Sequence, residues 1–352
     1  MTGGAHRASS VEADARRGPS DAVGRVGDPA ATAAPAATAT APATPAAPAP
    51  LVVAMLTYRR PQDVRAAVPA FLAELGTVDV PGELLVVDND PDAGARDTVE
   101  GVGDPRVRYV HEPRPGIAAG RNRALAECAD RDVLVFVDDD ERPRPGWLAA
   151  LLAEHARSGA AAVVGAVVSD YERPPDGWLA AGRFFDRRRL PTGTVVDVAA
   201  TNNLLLDLGR LRPTGLTFDE RFGLSGGSDT LFSRRLVAAG ERMVWCDEAV
   251  VVDHVPADRL TRAWVLRRAY RSGNSGARAE VVLATGLAQL AVRARYVARG
   301  LVRVVGGSAR VALGAVTRSD VHDARGRRSV QRGRGMVAGA LGHVVYEYRR
   351  QG

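Results

Sequence analysis

The chain has 352 residues, 46% of them hydrophobic, which allows one large domain or two ordinary ones with a sizeable core. Its formal net charge is +6, and all 47 basic residues are arginine, a balance that suits nucleic acid, an anionic membrane surface or phosphate-bearing substrates. The two cysteines, Cys128 and Cys246, exclude a disulfide framework, and we expect both to be reduced core residues of a cytoplasmic protein.

The first part of the chain is predicted to form an arm without regular structure. Residues 1–28 are polar and charged and lack the apolar stretch of a secretory signal. Residues 29–50 consist only of Ala, Pro and Thr, and such a segment buries too little apolar surface to offset the entropy lost on ordering. We therefore expect a disordered arm over 1–50, a main domain over 51–255 and an Arg-rich helical region over 256–352.

Strands and helices alternate from Leu51 onward. Helix-forming segments begin near Pro61, Gly116 and Pro145, each between two apolar runs. This order predicts a mostly parallel sheet with helices on both faces, because parallel strands need crossover connections. The segments predicted as buried strands are 51–56, 84–87, 107–113, 132–141 and 161–168.

Polar side chains stand where these strands end. Thr57 to Arg59 follow the first strand, Asp88 to Asp90 the second, and Asp138 to Asp140 the fourth. Ligands of parallel sheets bind beyond the carboxyl ends of the strands, so we expect these three segments along one rim. The acidic run at 138–141 fits either a solvated turn or a divalent-cation site, because hard cations bind several carboxylate oxygens.

The chain after residue 170 is less regular. Loops are predicted at 171–179 and 184–193, a strand and a turn at 198–211, and a helix from Asp229 to Ala239. The segment 242–254 predicts two short strands. Beyond it the pattern becomes helical and rich in arginine.

The last region predicts an amphipathic, basic helix. Arginines at 295, 299, 303 and 310 recur at spacings of four or seven among valines and leucines. Such a helix either lies on an anionic membrane or packs on the main domain with a solvated arginine face. Because arginines interrupt the apolar runs before about 18 residues, no membrane-spanning helix is predicted.

Five segments in order resemble the family 2 glycosyltransferases, which have the GT-A fold. They are TYRRP at 57–61, VVDNDPDAGA at 86–95, PGIAAGRNRAL at 115–125, FVDDDERPRPGWL at 136–148 and FDERFGLSGGSDTLFSRRLVAAG at 218–240. The resemblance covers residues 51 to about 275 and is nearest in look to bacterial exopolysaccharide glucosyltransferases of the succinoglycan type. It implies an α/β catalytic domain of GT-A type, a mostly parallel sheet with flanking helices, and a C-terminal helical extension.

This resemblance implies an inverting transfer of a hexose from a nucleotide sugar, with UDP as the nucleotide, to a saccharide or lipid-linked acceptor. It assigns Asp138 and Asp140 to a Mg²⁺ or Mn²⁺ ion and Asp139 to the ribose or the sugar. It assigns Asp229 to the general base, although an Asp at a helix start is also an ordinary N-cap. His254 would complete the metal or diphosphate site, or serve a structural role.

Further positions are assigned to the nucleotide and the acceptor. Asp88 would accept a hydrogen bond from uracil, or form an Asx turn. Tyr58 would pack on the ring, with Thr57 and Arg59 of the same motif beside it. Arg121 would reach the base or the diphosphate, or form a salt bridge at the helix start, and Asn122 follows it. Candidates for contact with the donor sugar or the acceptor are Trp178, Asn202, Asn203, Gly227 and Ser228, of which Ser228 stands where the family often has Glu.

Two other functions compete with this one. A nucleotidyltransferase also uses carboxylates and Mg²⁺ on an α/β sheet, but TYRRPQD lacks the Gly-rich loop of that class. A basic nucleic-acid-binding module is the non-enzymatic alternative, yet the sequence lacks helix-turn-helix, zinc and RNA-recognition signatures, so no nucleic-acid partner is expected. We expect a cytoplasmic enzyme, or one bound peripherally at the inner face of the cell membrane.

Overall fold

The computed structural model describes residues 51–346, which form eight strands and ten α-helices. The arm predicted over residues 1–50 lies outside the described residues, as do residues 347–352. Both cysteines are buried and unpaired, as predicted.

The strands are β1 (Leu51–Thr57), β2 (Gly82–Asp88), β3 (Val107–His111), β4 (Val133–Asp138), β5 (Glu141–Pro143), β6 (Ala162–Tyr171), β7 (Asn203–Asp207) and β8 (Met243–Val255). The helices are α1 (Pro61–Leu75), α2 (Arg96–Glu100), α3 (Ile117–Glu127), α4 (Trp147–Ser158), α5 (Gly177–Gly182), α6 (Leu208–Leu211), α7 (Ser228–Ala238), α8 (Arg262–Leu283), α9 (Gly286–Thr317) and α10 (Asp320–Ala340). Short 3₁₀ turns lie at Arg212–Thr214, Glu220–Phe222 and Ala257–Arg259.

The eight described strands belong to one sheet, in the order β3-β2-β1-β4-β7-β6-β8-β5. β3, β2, β1 and β4 are parallel to one another, as the alternation of strands and helices predicts. β7 runs antiparallel to both neighbours, β6 and β8 are parallel, and β5 closes the edge antiparallel to β8. The sheet is therefore mixed. The three polar segments of the predicted rim follow strands of its parallel half.

The sheet has a separate apolar core on each face, because successive residues of a strand point to opposite sides. On one face Phe71 of α1 and Trp147 of α4 meet edge to face, with ring centroids 5.4 Å apart. On the other, Phe218 stacks on Phe232 of α7 at 4.2 Å and meets Phe136 of β4 edge to face. Helices thus cover both faces, as predicted. The ends of the strands are therefore the part of the sheet where a ligand can bind.

β8 is one strand of 13 residues, where the sequence predicts two short ones. Its register with β6 shifts after Gly165, because Gly165 pairs with Cys246 while Ala166 pairs with Val250. The residues between Cys246 and Val250 form a bulge, which bends a strand without ending it. The Asp-Glu pair in this bulge interrupts the apolar pattern, and this explains the wrong prediction.

The C-terminal helices pack against the sheet domain through a shared apolar cluster. Trp178 of α5 and Val255 of β8 meet Val265 of α8 and Ala324 of α10 there. The indole nitrogen of Trp178 donates to Asp323 at 2.7 Å, across 145 residues of chain. The proposed boundary at residue 255 thus marks the end of β8, and the apolar core continues across it.

α9 and α10 form an antiparallel pair held by small residues, which we call the glycine ridge. The buried residues of α9 are Gly300, Gly307 and Gly314. A methyl group on Gly300 would lie 2.7 Å from the carbonyl oxygen of Gly333, and one on Gly307 would lie 2.8 Å from that of Gly326. The two backbones therefore approach too closely for any side chain to fit between them.

The remaining surface of α9 exposes large apolar side chains. Leu287, Val302, Val305 and Val316 are 84%, 73%, 70% and 83% exposed. Within residues 51–346, α9 is the one helix long and apolar enough to cross a membrane by length and composition, with a mean hydropathy of 1.2 over 18 residues. The prediction that no segment qualifies is too strict, because it counted only uninterrupted apolar runs.

Candidate active site

The carboxyl ends of β1, β2 and β4 meet at one edge of the sheet. Thr57 pairs in register with Asp88, and Leu56 with Asp138. The three polar segments that follow these strands therefore lie along one rim, as predicted. Ligands of such sheets bind at this place.

The four acids Asp138–Glu141, called the acidic block below, lie on this rim. Arg60 donates to Asp139 and to Asp140 at 3.1 Å each. Arg259, from the turn before α8, donates to Asp140 at 3.2 Å. Cationic side chains from two segments about 200 residues apart in the chain therefore converge on the acidic block.

The carboxylates of the acidic block are recessed from solvent. Asp139 is 4% and Glu141 1% exposed, and the Thr57 hydroxyl donates to Asp139 at 2.8 Å. Burial, followed by repulsion from Asp140, raises the pKa of Asp138 to about 7. Burial also raises the pKa of Asp139 to about 6 and that of Glu141 well above its ordinary value. Carboxylates in a solvated turn are neither crowded nor buried in this way. A bound cation would stabilise the charged form of these buried carboxylates, so the burial favours the cation site over the solvated turn.

Glu141 ties the acidic block to its neighbours. One of its carboxylate oxygens accepts from the backbone N–H of Asp138 at 3.1 Å and the other from the Asn202 amide at 2.7 Å. Glu141 also pairs in register with Asp253 of β8, whose carboxylate binds Arg187. Arg187 thus connects the loop after α5 to the edge of the acidic block.

The acidic block offers the oxygen ligands of a divalent cation without a complete coordination shell. Among residues 51–346, no three His, Cys, Asp or Glu side chains form a finished metal site. Asp138 and Asp140 carry hard carboxylate oxygens, and Mg²⁺ is commonly held by one or two carboxylates plus phosphate oxygens and water. The donor set therefore fits a cation whose shell is completed by a bound diphosphate.

His254 adjoins the acidic block through its backbone. Its N–H donates to the carbonyl oxygen of Asp140 at 3.1 Å. Its imidazole is about half exposed and lies 3.8 Å from Asp170, the register partner of His254 on β6. The side-chain contact is thus with Asp170, and the assignment of His254 to the metal stays a prediction.

The segment after β2 is closed by its own hydrogen bonds. Asp88 is fully buried, and its carboxylate accepts from the backbone N–H groups of Asp90 and Ala95 at 2.9 Å each. The Tyr109 hydroxyl donates to the same carboxylate at 3.1 Å. Asp88 thus shapes its loop in the manner of an Asx turn, and its contact with uracil stays a prediction.

Tyr58 and Arg59 lie further out along the rim. The Arg59 guanidinium lies 5.4 Å from the centre of the Tyr58 ring and pairs with Asp90 at 3.2 Å. Arg59 thus contacts the loop after β2, and its neighbour Arg60 contacts the acidic block instead. Tyr58 is partly exposed, so packing on a nucleoside base stays a prediction for it.

Arg121 of α3 binds the helix that carries Asp229. Its guanidinium is buried and donates to the Ser228 hydroxyl at 2.9 Å. Its positive charge opposes the rise that burial causes in the pKa of Asp138. The contact of Arg121 is thus with the residue before the predicted base, and its assignment to the base or the diphosphate stays a prediction.

Asn122 binds the segment that leads into α7. Its amide donates to the carbonyl oxygen of Phe218 at 2.9 Å and accepts from the Phe218 N–H at 2.8 Å. These two bonds fix that segment. The side chain is partly exposed, and its contact with the base or the diphosphate stays a prediction.

Asp229 lies in the first turn of α7, which begins at Ser228. The N-cap is Gly227, with a φ of 95°, so the alternative that Asp229 caps the helix is wrong. The Asp229 carboxylate accepts from the N–H of Thr230 at 2.8 Å, and the residue is partly exposed. The carboxylate is thus accessible in part, and its role as general base stays a prediction.

Helix α8 shapes the loop ahead of α7. A methyl group on Gly227 would lie 2.9 Å from the Cβ atom of Ser275, which adds a steric reason for glycine there. Arg278 donates to the Ser225 hydroxyl at 2.7 Å and lies 4.6 Å from the centre of the Phe222 ring. The C-terminal region therefore helps to position this part of the rim.

Two predicted sugar contacts are core residues. Trp178 lies in α5 rather than in a loop and is 2% exposed, and its ring stacks on Phe184. Asn203 is 1% exposed, whereas Asn202 is partly exposed beside Glu141. The predicted sugar contacts of Trp178 and Asn203 are therefore wrong. The hydrogen-bond partners of Asn203 are the indole N–H of Trp147 and the carbonyl oxygens of Ala166 and Ala249.

Sequence analysis missed three arginines of this site: Arg60, Arg187 and Arg259. Arg60 carried a signal, because it follows Arg59 in the TYRRP motif. Arg187 and Arg259 come from irregular segments distant in the chain, so spacing gives no signal for them. Glu141 was visible in the acidic run but had no assigned role.

Known proteins with similar sequences are bacterial. Succinoglycan biosynthesis protein ExoM of Rhizobium meliloti (strain 1021) is 33% identical over 244 residues, which cover 67% of this chain and 77% of that protein. Pre-mycofactocin glycosyltransferase of Mycobacterium tuberculosis (strain CDC 1551 / Oshkosh) is 27% identical over 201 residues, which cover 55% of this chain and 40% of that protein.

A solved structure shares the architecture. The mannosyltransferase PcManGT from Pyrobaculum calidifontis, in complex with GDP-Man and Mn²⁺, has a TM-score of 0.51 and 19% identity over 81% of this chain and 87% of that chain. A sequence model described as glycosyl transferase family 2 matches residues 52–207, which include the acidic block. The chain therefore belongs to glycosyl transferase family 2 and is a glycosyltransferase with the GT-A fold.

Proposed function

We propose that this enzyme transfers a hexose from a nucleotide sugar, with UDP as the nucleotide, to a saccharide or lipid-linked saccharide in the synthesis of a cell-surface polysaccharide. One observation carries the proposal: the acidic block, with Arg60 and Arg259 hydrogen-bonded to Asp140, lies at the rim formed by the carboxyl ends of β1, β2 and β4. The similarity to a succinoglycan biosynthesis protein supports the polysaccharide assignment.

The reaction requires a stabilised leaving group and a deprotonated acceptor. A Mg²⁺ or Mn²⁺ ion held by Asp138 and Asp140 would supply charge neutralisation for the departing nucleoside diphosphate. Arg60 and Arg259 hold further positive charge beside Asp140. Asp229 takes the proton from the acceptor hydroxyl as general base.

We assign a single displacement with inversion to this arrangement. Asp229 lies on α7 and the acidic block follows β4, so the groups that serve the acceptor and the leaving group come from different elements. Asp229 then acts as a base and not as a covalent nucleophile. An α-linked donor would give a β-linked product.

Titration of the purified protein with UDP, first with Mn²⁺ and then with EDTA, tests the proposal. We expect binding in Mn²⁺ that EDTA abolishes and that Asp140→Ala weakens at least about tenfold, because the cation loses a ligand. Asp130→Ala is the matched control, since its carboxylate is 76% exposed and contacts Arg131. UDP-sugars are then screened for turnover.

The other outcomes are equally informative. If UDP does not bind, GDP and dTDP are titrated next. Nucleotide binding that survives both EDTA and Asp140→Ala would remove the cation from the proposal. Failure of all three nucleotides would remove the nucleotide-sugar reaction, and an α-linked product from an α-linked donor would exclude inversion.

The alternative of a nucleotidyltransferase loses its support, because the chain belongs to a glycosyltransferase family. The basic balance that suggested nucleic acid has another explanation. Arg295, Arg299, Arg303 and Arg310 lie on α9 beside its exposed apolar face, and α9 contains no acidic residue.

We also propose that α9 rests on an anionic membrane surface at the cytoplasmic side. Seven large apolar side chains of this helix are exposed. A helix with an apolar face and a basic edge binds at the interface of an anionic bilayer, where a lipid-linked acceptor is available. The exposed side chains are Leu287, Leu290, Leu301, Val302, Val305, Leu313 and Val316.

The glycine ridge favours a helix that lies on the membrane over one that crosses it. α9 is tied to α10 at Gly300–Gly333 and again at Gly307–Gly326. α10 carries five arginines, and charged residues are costly inside a bilayer. Insertion of α9 would separate the pair or draw α10 into the hydrocarbon, whereas surface binding keeps the pair intact.

Co-sedimentation with phosphatidylcholine vesicles, with and without phosphatidylglycerol, tests the membrane contact. We expect binding only to the anionic vesicles, decreasing with salt. Val302→Glu combined with Val305→Glu should weaken binding at least about tenfold. Val195→Glu, at a valine of the sheet domain that is 60% exposed, is the matched control and should bind like the wild type.

Two results would contradict a peripheral contact. A dimer in light scattering without lipid, lost in the double variant, would assign the apolar face to a second copy of the chain. Resistance to carbonate extraction from native membranes would indicate a spanning helix.

A further inference from the structure

Two adjoining cavities, of about 310 and 170 Å³, lie between the segment around the end of α5 and the helices α8 and α10, and the larger one is a shallow depression open to solvent. They share Asp186 and Arg328, and we call them together the basic cavity. Asp186 is the single acidic residue among the side chains that line it. The arginines that line it are Arg183, Arg187, Arg268, Arg325, Arg328 and Arg332.

The charges of the basic cavity are not balanced by its one carboxylate. Asp186 is engaged by Arg183. Arg325 and Arg328 donate to the backbone carbonyl oxygens of Ala181 in α5 and of Arg183 just after it, at 3.2 Å each. These bonds orient the guanidinium groups without neutralising them, so positive charge remains at the cavity wall.

Like charges are held together here at an electrostatic cost. Burial lowers the pKa of Arg328; Asp186 opposes this shift, and repulsion from Arg325 adds to it. Arg332 is exposed as a whole residue, but burial of its guanidinium, with repulsion from Arg303 and Arg328, lowers its pKa. An anion bound among these groups would remove the repulsion, and the planar guanidinium matches phosphate oxygens in a bidentate geometry.

We propose that the basic cavity binds a diphosphate group. The smaller part, at 170 Å³, equals the liquid volume of about six water molecules, which leaves room for such a group. Arg187 lines the cavity and also binds Asp253, the register partner of Glu141. One ion pair therefore separates the basic cavity from the acidic block.

Our assignment of the diphosphate to a lipid-linked acceptor rests on the proposed function. A lipid-linked acceptor carries its saccharide on a phosphate or diphosphate headgroup, and the basic cavity would hold that headgroup beside the reacting site. α10 supplies Arg325, Arg328 and Arg332 and is tied to α9, the helix proposed to contact the membrane. A free inorganic anion is the other source of the same chemistry.

Calorimetric titration of the full chain with inorganic diphosphate in EDTA tests the cavity, because no divalent cation is then present to support donor binding. We expect the wild type to bind and Arg328→Gln combined with Arg332→Gln to bind at least about tenfold more weakly. Arg334→Gln, on the exposed side of the same helix and outside the cavity lining, is the matched control. Thermal unfolding of each variant checks that it is folded.

Titration with geranyl diphosphate distinguishes the two sources of the diphosphate group. Tighter binding of geranyl diphosphate than of inorganic diphosphate, lost in the double variant, assigns the cavity to a lipid headgroup, and equal binding assigns it to a free anion. No diphosphate binding by the wild type, or equal binding by the double variant, overturns the proposal. UDP binding in Mn²⁺ should be unchanged in the double variant, and its loss would place these arginines in the donor site instead.

Discussion

The sheet domain and the α9–α10 pair fix their geometry in different ways. In the sheet domain, buried polar groups hold one another, as where Asn203 binds three partners and Glu141 binds two. In the helix pair, backbones touch where side chains are missing, at Gly307 and Gly326. Hydrogen bonds fix the direction of a side chain, whereas glycine contacts fix only the distance between two helices. The first arrangement suits reacting groups, and the second leaves an outer surface available to a partner.

Asp229→Asn gives the largest expected effect and tests whether the sheet domain orients a reacting group. The change keeps the size of the side chain and removes the base, so kcat should fall about 10²–10⁴-fold. Metal-dependent UDP affinity should stay the same, because Asp229 does not belong to the acidic block. Steady-state kinetics and UDP titration measure the two effects, and an unchanged kcat would assign the base to another residue.

Asn203→Ala tests whether this amide is part of the core. The change leaves the indole N–H of Trp147 and two carbonyl oxygens without partners, so the free energy of unfolding should fall by about 2–4 kcal/mol. Asn202→Ala should cost about 0.5–1.5 kcal/mol, because one bond to Glu141 is lost. Urea denaturation measures both. A stable Asn203→Ala protein with lost turnover would restore the sugar contact.

Alanine substitutions at Gly306 and Gly307 test the glycine ridge, because each adds one methyl group. A methyl on Gly307 would lie 2.8 Å from the carbonyl oxygen of Gly326, so Gly307→Ala should destabilise the protein by about 1–3 kcal/mol. A methyl on Gly306 meets no atom within 4 Å, so Gly306→Ala should stabilise it by up to about 1 kcal/mol through helix propensity. Effects of the same sign in urea denaturation would contradict the proposed packing.

Arg278→Ala tests the junction between the two regions and should have the smallest effect. Loss of the bond to Ser225 and of the contact with Phe222 loosens the loop before α7. We expect kcat to fall about tenfold, equivalent to about 1.4 kcal/mol, with UDP affinity unchanged. Arg278→Lys keeps the charge without the planar stacking group, so full rescue by lysine would show that charge alone matters.

The sequence patterns were sufficient to predict which segments form the rim of the site. Apolar runs that end in polar residues predicted β1, β2 and β4, and parallel strands bring their carboxyl ends to one edge. The same patterns could not show which of two adjacent arginines meets the acidic block. Arg59 has a left-handed φ of 56°, and this local turn leaves Arg60 to face Asp139 and Asp140.

Long-range partners account for the side chains that are buried against expectation. Trp178 stands in a segment rich in Pro and Gly, which predicts a loop, but α10 covers it from 145 residues away. Asp88 has three hydrogen-bond donors that come from two different segments. Spacing within a motif carries no information on such partners, so side chains that suit a ligand can be satisfied internally.

Helix α10 is synthesised after every described strand of the sheet, and it covers α5 through a small apolar cluster outside the two main cores. Asp323 binds the indole of Trp178, and Arg325 and Arg328 bind the carbonyl oxygens of Ala181 and Arg183. During translation, Trp178 and the end of α5 therefore lack these contacts until α10 has left the ribosome. The two main cores of the sheet contain no residue of α10, so the strands can pack together before this helix is made.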